Sequence, residues 1–186
     1  MEKGLKDRLR VLAAQIPEEG KELSEDLPRE WLTNIPEFSN DEDTHMEGPI
    51  RVRGRVMREG ENLRLKGEVA ADLVTFCTRC GETINYVLSG KVDVILIKGQ
   101  EPARGDEHEL TPDEAAATYY DGVEADLAPF FREEIAIQVP LQPLCRPDCA
   151  GLCSVCGTNL NNGKCGCGQK EADPRLAGLR NLKLNS

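Results

Sequence analysis

Six of the chain's eight cysteines fall in one short run rich in glycine and asparagine, Cys145-Arg-Pro-Asp-Cys149-Ala-Gly-Leu-Cys153-Ser-Val-Cys156-Gly-Thr-Asn-Leu-Asn-Asn-Gly-Lys-Cys165-Gly-Cys167. The other two stand far upstream as Cys77-Thr-Arg-Cys80-Gly. A Cys-x2-Cys pair followed by glycine suits a tight turn whose backbone N–H groups face the sulfurs while both sulfurs meet one tetrahedral ion. Two such turns and eight cysteines predict two four-thiolate sites. Cys77 and Cys80 need two further ligands, and Cys145 with Cys149 supply them as site one. Cys153 and Cys156 form the second turn, which Cys165 and Cys167 close as site two.

Zinc, two structural ions in all, is the favoured metal, because four thiolates complete a closed tetrahedral shell without a redox requirement. An iron–sulfur cluster also takes four cysteines and stays open at this point. A thioredoxin-like pair at Cys77 and Cys80 fits less well, since it normally opens a helix and here lies between strands. A disulfide framework belongs to secreted chains. Arg79, Arg146 and Lys164 are expected to offset the net charge of −2 on each zinc-loaded site. No catalytic residue is assigned. The two histidines, His45 and His108, sit in acidic, loop-like stretches, and saturating both sites with cysteine leaves no position for water. There is no Gly-rich phosphate loop and no nucleophile–base pair, and no small-molecule substrate is suggested.

The elements that must position these cysteines follow from hydrophobic patterning. From residue 49 the chain alternates: Ile50, Val52 and Val56 share one face, and Arg51, Arg53 and Arg55 the other. Glu59-Gly60-Glu61-Asn62 is a hairpin turn. Leu63, Leu65, Val69, Ala71 and Leu73 then oppose Arg64, Lys66, Glu68 and Asp72. After the first cysteine turn, Ile84, Tyr86, Leu88, Val92, Val94 and Leu96 are in phase. The expected fold is α+β: an antiparallel meander, a curled sheet or half-barrel, with bulges or bends where Gly54, Gly67 and Gly90 interrupt the runs. Tyr119-Tyr120-Asp121-Gly122 reads as a further strand and turn. A helix capped by Asp126, with Pro129 in its first turn and Leu127, Phe130, Phe131 and Ile135 on one side, covers the sheet and ends before Pro140. A zinc-ribbon-like cysteine segment follows.

Four parts are expected: a polar N-terminal arm (1–48), the meander with its covering helix (49–144), the cysteine segment (145–167) and a basic tail or helix (168–186). In the arm, residues 5–16 read as a strand or helical turn, and Leu27-Pro28-Arg29-Glu30-Trp31-Leu32 as a proline-initiated turn anchored by Trp31. Thr111-Pro112-Asp113-Glu114 has the pattern of a short helix start. With 39% hydrophobic residues and 4% aromatics in 186, one modest core with polar extensions is expected. No apolar run approaches the length of a membrane span, and the Val-Leu-Ala-Ala of the N-terminus is too short for a signal-peptide core. A cytoplasmic protein is expected.

The net charge of −10 is distributed in blocks. Residues 1–48 carry 6 basic and 13 acidic side chains, 49–98 carry 9 and 6, 99–134 carry 2 and 11, and 164–186 carry 5 and 2. Basic faces are therefore available despite the acidic total. Arg51, Arg53, Arg55, Arg64 and Lys66 on the first hairpin, with Arg175, Arg180 and Lys183 on the tail, form a candidate RNA-contacting set. The competing explanation is a solvated strand face with cross-strand charge pairs, for which Glu68 and Asp72 are available. No exposed aromatic trio for base stacking is evident.

Three stretches together resemble the YceD family, the large ribosomal RNA subunit accumulation proteins. They are Cys77-x2-Cys80-Gly81; Leu141-x-Pro143-Leu144-Cys145-x3-Cys149-x-Gly151-Leu152-Cys153-x2-Cys156-Gly157-x2-Leu160-Asn161; and Asp173-Pro174-Arg175-Leu176-x2-Leu179-x2-Leu182-Lys183. The likeness covers most of residues 49–183. It implies a factor supporting accumulation of 23S ribosomal RNA and large-subunit biogenesis, with a pre-ribosomal particle, 23S RNA or a large-subunit ribosomal protein as partner. Family members that lack the four downstream cysteines imply that site two is an elaboration of a common core. Two other functional classes compete: a protein-binding adaptor using the acidic connector and Tyr119/Tyr120, and a metal or redox sensor using the cysteine clusters.

Overall fold

Hydrophobic alternation at period two produces long strands here, and the computed structural model, which describes residues 8–32, 44–99 and 118–167, shows them. Strand β1 is Arg10–Leu12, β2 Lys21–Leu27, β3 His45–Glu59, β4 Asn62–Phe76, β5 Thr83–Lys98, β6 Thr118–Tyr120 and β7 Glu124–Asp126; helix α1 is Ala128–Gln138. The main sheet has the order β2-β3-β4-β5-β6, and β1 pairs with β7 in a separate two-stranded ribbon. The meander expected from residue 49 is β3-β4-β5, antiparallel throughout. The Tyr119–Tyr120 strand joins it in parallel at Leu96–Lys98, so the sheet is mixed. It is open, with β2 and β6 as its outer strands.

The alternating residues fall where period two requires. Ile50, Val52, Val56, Leu63, Leu65, Val69, Ala71, Leu73, Leu88, Val92 and Leu96 are all buried in one core. The β3–β4 turn is Gly60-Glu61, with Glu59 opposite Asn62, and Gly60 takes the left-handed conformation (φ +67°) that a two-residue hairpin needs.

The N-terminal stretch does more than cover the domain. Residues Lys21–Leu27 run along β3 from Val56 to Ile50 as a full strand of the sheet. Their apolar signal is only Leu23 and Leu27, both buried, because an edge strand rich in Glu and Asp satisfies most of its side chains in water. The Pro28-initiated turn forms as expected, with the Trp31 N–H donating to Pro28 O at 2.9 Å. Trp31 is buried, and the Arg132 guanidinium stacks over its ring at 4.6 Å while donating to Trp31 O.

The glycine positions correct one expectation. Pairing runs without a shift through Gly54↔Gly67, Gly67↔Val92 and Val69↔Gly90; the register changes between Glu47 and Arg51 instead. These glycines make room. A Cβ on Gly67 would stand 2.9 Å from Phe131 Cε1 and 2.8 Å from Arg53 O, one on Gly54 2.9 Å from Gly67 Cα, and one on Gly90 would collide with Glu134. The absence of side chains in this row lets α1 lie close on the sheet, burying Phe131 and Ile135. Asp126 caps α1 as expected, its Oδ1 accepting the Ala128 N–H at 3.0 Å. The expected helix start at Thr111 and the C-terminal helix lie outside the described residues. No helix among the described residues is long and apolar enough to cross a membrane.

Gly67→Ala should therefore destabilise the fold by about 1–3 kcal/mol through overpacking against Phe131. Urea denaturation tests this, and an unchanged midpoint would contradict the packing role.

Candidate metal centre

The first cysteine turn is the loop between β4 and β5. The Cys77 N–H donates to Glu82 O at 2.8 Å, and the Gly81 N–H to Cys77 O at 2.9 Å, with Gly81 at φ +73°. The second turn repeats this geometry. The Cys153 N–H donates to Thr158 O at 2.8 Å, the Gly157 N–H to Cys153 O at 2.9 Å, and Gly157 has φ +73°. The chemistry behind both is the same: glycine supplies the left-handed residue that folds the chain back over its own sulfurs.

After α1 the chain returns to the tip of the β4–β5 hairpin. The Tyr86 hydroxyl donates to Leu144 O and accepts from the Leu144 N–H, both at 3.0 Å. The Thr78 N–H and hydroxyl donate to Pro143 O, and Arg79 Nη1 donates to Cys149 O at 3.0 Å. These bonds bring Cys145 and Cys149 to Cys77 and Cys80. Cys77 Sγ lies 3.7 Å from Cys149 Sγ, and Cys80 Sγ 3.6 Å from Cys145 Sγ. In each of the groups Cys77/Cys80/Cys145/Cys149 and Cys153/Cys156/Cys165/Cys167, all sulfurs lie within 4.8 Å of one another. These are the two sets of four expected from the spacing.

The sulfur separations fit a single ion. Four sulfurs at the usual 2.3 Å from one tetrahedral zinc stand about 3.8 Å apart, whereas a disulfide draws two sulfurs to about 2.05 Å. All eight cysteines are free. The two groups differ in exposure: Cys77, Cys80 and Cys149 are buried and Cys145 half-buried, while Cys156 is exposed and Cys153, Cys165 and Cys167 are half-buried.

Each group is split electrostatically. Burial pushes the Cys77 thiol up, but backbone hydrogen bonds at Cys145, Cys80 and Arg79 outweigh it and hold the group at about 6. Burial and the neighbouring Cys149 raise Cys145 to about 12. In the second group, hydrogen bonds with Thr158 lower Cys156 to about 6, while Cys156 itself drives Cys167 up to about 12. Four thiolates in so small a volume repel one another, and a cation at their centre removes that penalty.

The Arg79 and Arg146 side chains do not reach the sulfurs in the described contacts. Arg146 binds Asn161 Oδ1 at 2.7 Å and Asp148 at 3.6 Å. In the first group a polar side chain reaches a thiol: the Asn161 Nδ2–H donates to Cys149 Sγ at 3.3 Å. Asn161 stands in the motif quoted above, but residue type and spacing assign it no role. Tyr86 is likewise read only as an apolar strand position.

The hairpin face is paired. Arg51 binds Asp72 at 2.9 Å, Arg53 binds Asp26 at 2.6 Å, Arg55 binds Glu22 at 2.6 Å, and Arg64 binds Asp93 at 2.9 Å and Glu59 at 3.5 Å. Lys66 lies 3.6 Å from Asp93, whose carboxyl the Arg64 hydrogen bond holds below its ordinary range. Asp72 is an expected partner; Asp93 comes from β5, the third strand of the expected meander, while Glu22 and Asp26 come from β2, whose place beside β3 only the fold reveals. Arg175, Arg180 and Lys183 lie outside the described residues. Tyr120 is buried, its hydroxyl donating to Glu61 O at 2.8 Å. His45 lies on β3, and His108 is outside the described residues.

Residues 65–183 match the family described as "Large ribosomal RNA subunit accumulation protein YceD". The chain is similar to the large ribosomal RNA subunit accumulation protein YCED homolog 1, chloroplastic, of Arabidopsis thaliana, at 26% identity over 156 residues, covering 73% of this chain and 49% of that protein. The Zea mays protein of the same description is 28% identical over 135 residues, covering 61% of this chain and 46% of its own length. An uncharacterized protein of Mycobacterium leprae is 32% identical over 112 residues, covering 60% and 49% respectively. The chain thus spans about half the length of these relatives. No solved structure matches it.

Replacing Cys149 by Ser should remove a buried ligand and cost on the order of 4 kcal/mol, roughly 8–16 °C in Tm for a chain of this size. Replacing Cys165, in the more exposed group, should cost no more than about half of that. Calorimetry on both variants checks the ranking, and equal losses would contradict the division into a buried and a peripheral site.

Proposed function

This chain belongs to the YceD family of large ribosomal RNA subunit accumulation proteins, and we propose that it is a non-enzymatic, zinc-stabilised factor supporting 23S ribosomal RNA accumulation and assembly of the large ribosomal subunit. The observation that carries this reading is the family match over residues 65–183, which takes in most of the β4–β5 hairpin, α1 and every cysteine. The names of the plant relatives point the same way.

Zinc is proposed because thiolate sulfur is a soft donor, the separations suit one tetrahedral ion, and neither group calls for redox chemistry. Cys77, Cys80, Cys145 and Cys149 would hold one ion, and Cys153, Cys156, Cys165 and Cys167 the other. Bound there, each ion supplies a rigid crosslink and charge neutralisation. Four cysteine ligands leave no open position at which water could be activated, which supports a binding role over hydrolysis. The place of action is the compartment that assembles the large subunit, the cytoplasm in a bacterium.

We place the contact with pre-ribosomal RNA, or with a large-subunit ribosomal protein held on it, at the Arg51/Arg53/Arg55 row. A phosphate approaching this row exchanges with a carboxylate already present, so each contact is weaker than one to an unpaired arginine. Affinity is then limited by the acidic β2 strand, which keeps the protein from holding RNA indiscriminately.

Two outcomes test the reading. Cells depleted of the protein should show a deficit of free large subunits and 23S RNA in sucrose gradients, with small subunits in excess; a normal profile would contradict the assembly role. Glu22→Gln with Asp26→Asn should free Arg55 and Arg53, raising RNA affinity and steepening the log–log salt slope by about 0.7–0.9 per freed arginine. Unchanged binding would remove this face from consideration.

A further inference from the structure

We propose that Asn161 couples the two cysteine groups, so that metal in the exposed group sets how tightly the buried group holds its own ion. The inference rests on the metal reading above and goes beyond it by assigning a positioning residue and a direction of control.

The two groups are neighbours in the chain: Cys149 closes the first and Cys153 opens the second. Asn161 belongs to the loop of the second group, between Cys156 and Cys165, yet its side chain serves the first. Its Nδ2–H donates to Cys149 Sγ at 3.3 Å, and its Oδ1 accepts from the Ala150 N–H at 2.8 Å and from Arg146 Nη2 at 2.7 Å. One amide thereby grips the sulfur and both flanks of the Cys145–Cys149 turn.

Asn161 is held by its own loop and by two ties from that loop to Gly151 and Glu82. The Asn161 N–H donates to Asn159 Oδ1 at 2.9 Å, the Leu160 N–H to Gly151 O at 2.9 Å, and Asn159 Nδ2 donates to Glu82 Oε1 at 2.9 Å. The segment from Cys153 to Cys167 contains no strand; Leu152↔Asn159 is an isolated bridge. So short a loop, without a core of its own, owes its shape to the ion that joins Cys153 and Cys156 to Cys165 and Cys167. Emptying that group releases the loop, and Asn161 with it.

An N–H donor on a ligating sulfur disperses thiolate charge and fixes the sulfur's direction, and loss of such an outer partner lowers metal affinity about 10–100-fold. The coupling is reciprocal by thermodynamic necessity. Because Cys156 is exposed and Cys77, Cys80 and Cys149 are buried, the second group exchanges with solvent first. Scarcity of metal is therefore felt at the second group and passed to the junction between the sheet and the C-terminal segment.

The test is Co2+ loading of the full-length, metal-stripped chain, followed by thiolate-to-cobalt absorption and competition with a chelator. Wild type should bind two ions. Asn161→Ala and Asn161→Asp should also bind two, but hold the tighter ion about 10-fold or more weaker. Asn161→Asp keeps an acceptor oxygen but exchanges the donor to sulfur for a carboxylate charge, so its charge-transfer band should shift as well, while Asn161→Ala removes the donor without adding charge. Cys156→Ser with Cys167→Ser should bind one ion with the same weakening, and adding Asn161→Ala to it should cost nothing further, since both cut the same link. Unchanged affinity in the Asn161 variants, or losses that add, would overturn the coupling. A wild-type chain that takes up no cobalt would instead overturn the metal reading on which it rests.

Discussion

Four sulfurs drawn within 4.8 Å of one another at the tip of the β4–β5 hairpin are the constraint on which residues 140–167 depend. Beyond Val139 the chain leaves the main core: Leu141 is 99% exposed, and the second apolar cluster consists of Cys77, Cys80 and Cys149 with Ile84, Leu144 and Cys145 against it. So little apolar surface cannot fix a segment of this length. The hydrogen bonds from Tyr86, Thr78 and Arg79 aim the segment, and the ion proposed for this site would supply the bond. The same crowding would set uncompensated thiolates against one another, which is why the site makes sense as a cation site and not as four independent thiols.

The sheet answers a different demand. One face, with its glycine row, receives α1 and the ribbon of β1 and β7; the other carries charge. On that outer face acidic β2 lies against the arginines of β3, and Asp93 of β5 against Arg64 and Lys66 of β4. The acidic residues of the N-terminal stretch are thus partners of the basic row as well as a source of net negative charge. For a factor proposed to meet ribosomal RNA, such pairing moderates affinity and lets ionic conditions tune it.

Much of this was legible in the sequence, because period-two alternation and Cys-x2-Cys-Gly turns are local signals. Strand faces from Ile50 to Leu96, the Gly60-Glu61 turn, the Asp126 cap and the grouping of cysteines into two sets of four all follow from spacing. What was not legible depends on distant neighbours. Lys21–Leu27 reads only as part of a polar arm because an edge strand buries just Leu23 and Leu27 and its pairing partner, β3, lies some thirty residues away. Gly54, Gly67 and Gly90 look like breaks in three strands until Phe131 and Glu134 are seen to need the space. Asn161 and Tyr86 are unremarkable residue types, made important by a sulfur twelve residues away and a carbonyl fifty-eight residues away.

The measurement that bears most directly on the account is native mass spectrometry of the full-length protein purified under reducing conditions. The account predicts a mass equal to the polypeptide plus two zinc ions, with the thiol protons they displace missing, and loss of both ions on acidification. A metal-free mass carrying disulfides, or the mass of iron with inorganic sulfide, would contradict it.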